Sequence, residues 1–167
     1  VAPSLLGGLI LIRDNPTLDL HRVYTPSGIH LTLVYPHVEI LTADARAVLS
    51  DTISLKTAIQ QSANLSNFIL GMMNGDFGLI GRSLDDVMIE PQRAKLIPNF
   101  YEVKEAALKA GALGCSISGA GPTIFAMSKN SFEAEEIERA MKAVYEQAKI
   151  PCTTYVSMVN NEGAIRC

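Results

Sequence analysis

What the sequence lacks narrows its chemistry first. It has no cluster of lysines and arginines, and a net charge of −3 with an isoelectric point near 5.6 gives no field to draw nucleic acid. Cysteine is scarce: Cys115, Cys152 and Cys167 are odd in number and far apart. They form neither a disulfide framework nor a metal-ligand spacing, and they suit a reducing cytoplasm. The three histidines, His21, His30 and His37, stand apart, and none pairs with a second ligand at helical spacing, so no metal is expected on them. There is no GxxxxGK[ST] loop, no Ser/His/Asp constellation, no strong general-base candidate and no internal repeat. The apolar opening Val1–Ile12 has no positively charged leader and is too short to span a bilayer, which argues against a membrane role. It starts at a valine inside what reads as a structured run, so the chain is expected to be a piece of something longer.

What is present is a globular composition. With 167 residues, 48% of them hydrophobic and 19% charged, residues 1–167 suit one domain with a sizeable core. Runs at Gly7–Arg13, Leu18–Tyr24 and Ile29–Tyr35, separated by turn signals, predict a three-stranded meander. Thr42 reads as the N-cap of a short helix to Leu49. A longer helix over Ser54–Asn74 is predicted to bury Leu55, Ala58, Ile59, Ser62, Leu65, Ile69, Met72 and Met73, with Gly75 ending it. A shorter helix follows over Asp76–Leu84. Asn99 with Glu102 reads as a capping box, and Ser131 as the cap of a helix with core stripe Ile137, Ala140, Met141, Val144 and Ala148. Strands are expected near 113–118, 123–128 and 152–159. The whole predicts an α+β fold: an antiparallel sheet with helices packed on one face and a ferredoxin-like C-terminal run.

Three constellations carry candidate chemistry. In Ser118-Gly119-Ala120-Gly121-Pro122-Thr123, two glycines allow positive φ, so consecutive N–H groups and two hydroxyls can face an anion, phosphate above all. Thr42 and Arg46 are four residues apart on one helix and project from the same side. Arg93 ends the rigid turn Glu90-Pro91-Gln92-Arg93. Arginine grips carboxylate or phosphate bidentately, so two arginines near a glycine loop suit a small anionic substrate. Phosphoryl transfer relies mostly on positioning and charge stabilisation, so the missing base is no obstacle.

These residues resemble a family. Gly111-Ala112-Leu113-Gly114-Cys115-Ser116-Ile117-Ser118-Gly119-Ala120-Gly121-Pro122-Thr123-Ile124-Phe125-Ala126 is similar to the third conserved motif of the small-molecule kinases related to galactokinase, homoserine kinase, mevalonate kinase and phosphomevalonate kinase. Pro-Thr-hydrophobic-Phe-Ala after the glycines is most like the homoserine kinase branch. Val1-Ala2-Pro3-Ser4-Leu5-Leu6-Gly7-Gly8, Thr42-Ala43-Asp44-Ala45-Arg46, Glu90-Pro91-Gln92-Arg93, Leu96-Ile97-Pro98-Asn99-Phe100 and the closing Asn161–Arg166, taken as a last strand, agree with it. The resemblance implies a C-terminal domain only, because the family's Pro-x-x-x-Gly-Leu-Gly-Ser-Ser nucleotide loop is not in this sequence. It further implies Thr42, Arg46 and Arg93 as substrate-binding residues, and Ser118, Gly119, Ala120, Gly121 and Thr123 on the phosphate side. ATP and Mg2+ would bind mainly through an N-terminal domain of the same protein. L-homoserine would be the acceptor in threonine biosynthesis, in a cytoplasmic enzyme that allows a homodimer, and this part alone would be inactive. Two other readings stand beside it: a sister kinase such as the one acting on 4-diphosphocytidyl-methylerythritol, and a non-catalytic amino-acid-binding regulatory module.

Overall fold

The computed structural model describes residues 2–165, so readings that touch Val1, Arg166 and Cys167 lie outside the described residues. The elements in chain order are α1 (Ala2–Leu6), β1 (Leu9–Asp14), β2 (Asp19–Val23), β3 (His30–Pro36), α2 (Thr42–Ala47), α3 (Leu55–Asn74), α4 (Phe77–Ser83) and α5 (Glu90–Arg93). After a 3-10 turn (Ala94–Leu96) come α6 (Phe100–Lys109), β4 (Gly114–Ile117), β5 (Ile124–Ser128), α7 (Ser131–Gln147) and β6 (Cys152–Met158). Residues 161–165 follow β6 outside any strand, where a last strand was expected over Asn161–Arg166. Among the described residues no helix is long and apolar enough to cross a membrane.

Four strands form one sheet in the order β4-β5-β3-β6, with every neighbouring pair antiparallel. The chain order β3, helices, β4, β5, α7, β6 with that spatial order is the ferredoxin-like split βαβ arrangement. The expected meander is therefore corrected: β1 and β2 pair only with each other, and β3 leaves them for the centre of the larger sheet. Thr32 and Val34 on β3 are wholly shielded, whereas His21 and Arg22 on β2 remain exposed. The Thr32 hydroxyl also donates to the Ala134 carbonyl at 2.9 Å, tying β3 to the first turn of α7.

Helices α6 and α7 cover one sheet face, where Val34, Cys115 and Ala126 meet Phe100, Val103, Ala107, Ile137 and Met141. Residues one step along the same strands, Leu31 and Met127, face the other way. They join Val23, Ile29, Met72 and Ile80 in a second core built by α3, α4 and the β1–β2 hairpin. The expected apolar stripe of α3 is buried only in part: Met72 is covered and Ile69 packs against the second core. Leu55, Ile59, Leu65 and Met73 are exposed, and the buried positions are Asn64, Gly71 and Met72. The return of α4 sets this, because a Cβ on Gly71 would lie 3.0 Å from the Ile80 backbone nitrogen. A similar close approach joins α4 to β4: a Cβ on Gly114 would lie 2.6 Å from Leu84 Cδ2.

Helix ends explain several smaller differences. Ser54 caps α3 by accepting from the Thr57 N–H at 3.0 Å, and Gly75 ends it in the left-handed region at φ +66°. Thr42 is the first helical residue of α2 rather than its cap; Leu41 holds that place without a side-chain bond. Asn99 sits at φ +55° and its side chain caps nothing, since capping needs the extended conformation. The cap of α7 is Asn130 rather than Ser131: its Oδ1 accepts from the Glu133 N–H at 2.8 Å.

Two measurements check this account. Asn130→Ala should destabilise the chain by about 1 kcal/mol in urea unfolding, and Ser131→Ala by a few tenths at most. Burial pushes the Cys115 thiol up to about 12, so it stays protonated while an unfolded chain's cysteine ionises above about 8.5. Stability linked to this thiol is complete below the unfolded value and falls as pH rises from there toward 12. A disulfide reagent at pH 8 should therefore modify Cys115 only as fast as the chain opens, and Cys115→Ala should lose part of the alkaline decline.

Candidate functional site

The glycine loop closes the β4–β5 hairpin. The Ser118 N–H donates to the Thr123 carbonyl at 2.8 Å, and the Gly121 N–H donates to the Ser118 carbonyl at 3.1 Å. The Gly119 and Ala120 N–H groups have no partner among the described residues. Gly119 and Gly121 take φ +62° and +86°, the left-handed values that their lack of a Cβ permits. Their surroundings differ. A Cβ on Gly119 would meet nothing within 4 Å, whereas one on Gly121 would lie 3.0 Å from Ile97 Cδ1. Gly121 thus seats the loop on the core, and Gly119 presents it to open space.

Arg93 joins two of the candidate constellations. Its Nε donates to the Ala45 carbonyl and its Nη1 to the Gly119 carbonyl, both at 2.9 Å. The half-buried guanidinium therefore ties α2, between Thr42 and Arg46, to the loop. Two of its five N–H groups are used, and the remaining ones include a hydrogen on Nη1 and both on Nη2, a fork suited to one carboxylate or phosphate. Thr42 and Arg46 are exposed, and no described residue hydrogen-bonds to either side chain.

Several residues that hold this arrangement were not among the sequence candidates. Asp86 organises the approach to α5, its Oδ1 accepting from the Met88 and Ile89 N–H groups at 2.9 and 2.8 Å and its Oδ2 from Glu90 N–H at 3.1 Å. Gln92 accepts from the Ser50 N–H and donates to the Met88 carbonyl, each at 2.7 Å. Glu90 is only 4% exposed; the Ser116 hydroxyl donates to its Oε2 at 2.6 Å and the Lys104 ammonium pairs with its Oε1. An aspartate whose carboxylate can gather the backbone N–H groups that follow it is a readable turn signal. Nothing local marks Glu90 as buried. A cavity of about 150 Å3 beyond this cluster is lined by Gln61, Ser83, Asp85, Asp86, Ser116 and Phe125, among others. Among the described residues no group of three His, Cys, Asp or Glu side chains is gathered to hold a metal ion.

Residues 64–147 match the family model described as GHMP kinases C terminal. The chain is 47% identical over 165 residues to a homoserine kinase of Chlorobium phaeobacteroides (strain BS1), covering 98% of this chain and 52% of that protein. It is also 47% identical over 165 residues to the homoserine kinase of Chlorobaculum tepidum, covering 51% of that protein. A crystal structure of homoserine kinase from Cytophaga hutchinsonii superposes with a TM-score of 0.96 at 45% identity, over 98% of this chain and 52% of the other. The chain spans about half the length of the curated relatives it matches.

The two glycines should respond unequally to alanine. Gly119→Ala should cost about 1–2 kcal/mol from its backbone conformation alone. Gly121→Ala adds the collision with Ile97 and should cost about 1–3 kcal/mol more, read as the difference in urea midpoints at unchanged slope.

Proposed function

The chain belongs to the GHMP kinases, whose C-terminal region it matches, and from that membership we propose that residues 1–167 are the substrate-side domain of a kinase that moves the γ-phosphate of ATP to the hydroxyl of L-homoserine. The observation that carries this reading is the double hydrogen bond of Arg93, which holds α2 and the glycine loop in one frame. The kinship to homoserine kinases at 45–47% identity supports the choice of substrate. In this proposal Arg93 and Arg46 grip the amino-acid carboxylate, with Thr42 beside them. The free N–H groups of Gly119 and Ala120 suit a phosphate oxygen, and Ser118, Gly121 and Thr123 hold that loop in shape.

ATP and magnesium would be held mainly by the other half of the longer protein. The metal would supply charge neutralisation on the phosphates. The contribution of this chain is to bind and orient the acceptor, where most of the rate in phosphoryl transfer arises. The free thiols of Cys115 and Cys152 fit a reducing cytoplasm, and the product would feed threonine biosynthesis.

ADP release with ATP and homoserine tests the proposal. The 167 residues alone should give none, and the full-length protein should turn over. Turnover by this chain alone overturns the division of labour, and a full-length protein that ignores homoserine overturns the substrate. In the full-length protein, Arg93→Ala should raise the KM for homoserine at least about tenfold while moving that for ATP less than about twofold, the pattern of a lost contact to one substrate. Calorimetry tests the regulatory reading favoured by the ferredoxin-like sheet: threonine binding by this chain, with no turnover after the missing half is restored, would establish it.

A further inference from the structure

We propose that Glu90 is a positioning residue for Arg93, its buried carboxylate setting the place of α5 so that the guanidinium reaches both α2 and the glycine loop. The helix is four residues long, far too short to hold itself in water. Side chains must therefore decide where it lies. Glu90 points inward and is anchored on two separate elements, to Ser116 on β4 at 2.6 Å and to Lys104 on α6. Arg93 lies three residues on and reaches outward to the Ala45 and Gly119 carbonyls.

Between the two, every handle is fastened. Asp86 accepts from the Glu90 N–H, and Gln92 clamps the segment at Ser50 from one side and Met88 from the other. A displacement of Glu90 is thus passed to Arg93 within one helical turn. Both Glu90 oxygens are occupied, and its side chain is 5% exposed against 16% for Lys104. The nearest other partner for Lys104 is Asp85, 3.8 Å away with its side chain 58% exposed. That contact can keep the ammonium but cannot hold α5 against β4.

The test is Glu90→Gln, which keeps the shape and one acceptor and removes the charge. In the 167-residue chain, Nε–H exchange of Arg93 should accelerate at least about tenfold as its bond to Ala45 loosens, and the Gly119 and Ala120 amide resonances should move. In the full-length protein, an arm that rests on the kinase reading, the variant should raise the KM for homoserine about tenfold with kcat within about twofold, and should add nothing on top of Arg93→Ala. A merely stabilising Glu90 gives the opposite: unchanged Arg93 exchange and a kinetic penalty that multiplies with that of Arg93→Ala. Either result overturns the proposal. If Glu90→Gln does not fold, Ser116→Ala removes one anchor and is read in the same two ways. If the full-length protein ignores homoserine, the substrate assignment falls and the Arg93 exchange rate decides this inference alone.

Discussion

A carboxylate without water is the constraint around which the 85–125 region is arranged. Placing Glu90 against β4 removes it from solvent, which costs several kcal/mol unless its charge and both oxygens are met. Lys104 meets the charge and Ser116 the second oxygen, and these come from two different elements, so α6 and β4 must both be in place before the pair can form. An apolar side chain at this position could be as stable or more so. What the ionic pair adds is direction. Hydrogen bonds of fixed geometry allow one placement of α5, whereas apolar packing would tolerate several.

From that placement the two halves of the candidate site acquire a common frame. The loop's own bonds, Ser118 to Thr123 and Gly121 to Ser118, give it shape but not location. Location comes from Ile97 beneath Gly121 and from Arg93 on the Gly119 carbonyl. Gly119 faces open space, and among the described residues its N–H and that of Ala120 have no partner, so the loop is shaped from its inner side alone.

The extent to which the sequence disclosed this follows the range of the forces. The glycine loop was legible because positive φ is a local demand that glycine alone meets cheaply, and both glycines take it. The Gly75 terminator was legible for the same reason. Strand β3 was misplaced because its neighbours, β5 and β6, lie about ninety and more than a hundred positions away, and no periodicity encodes a partner. The α3 stripe was legible only at Ile69 and Met72, because a helix with apolar residues on most sides gives no unique face until α4 presses on Gly71. Arg93 was legible as a candidate by its chemistry, but its contact with Gly119 spans 26 positions and its dependence on Glu90 passes through Lys104 and Ser116.

The meeting of Leu84 and Gly114 has a consequence for substitution at both positions. A Cβ at 114 would sit 2.6 Å from one leucine carbon and 2.7 Å from another, while the Gly114 backbone itself takes no special conformation. The ban on a side chain there is thus imposed by a neighbour thirty positions away, and because the Leu84 Cβ is one of the two carbons, shortening the leucine does not lift it. A change at one position is therefore felt at the other. A smaller residue at 84 with Gly114 kept leaves a void, whereas alanine at 114 crowds the Leu84 Cβ however short the side chain beyond it, so it needs the two segments to move apart.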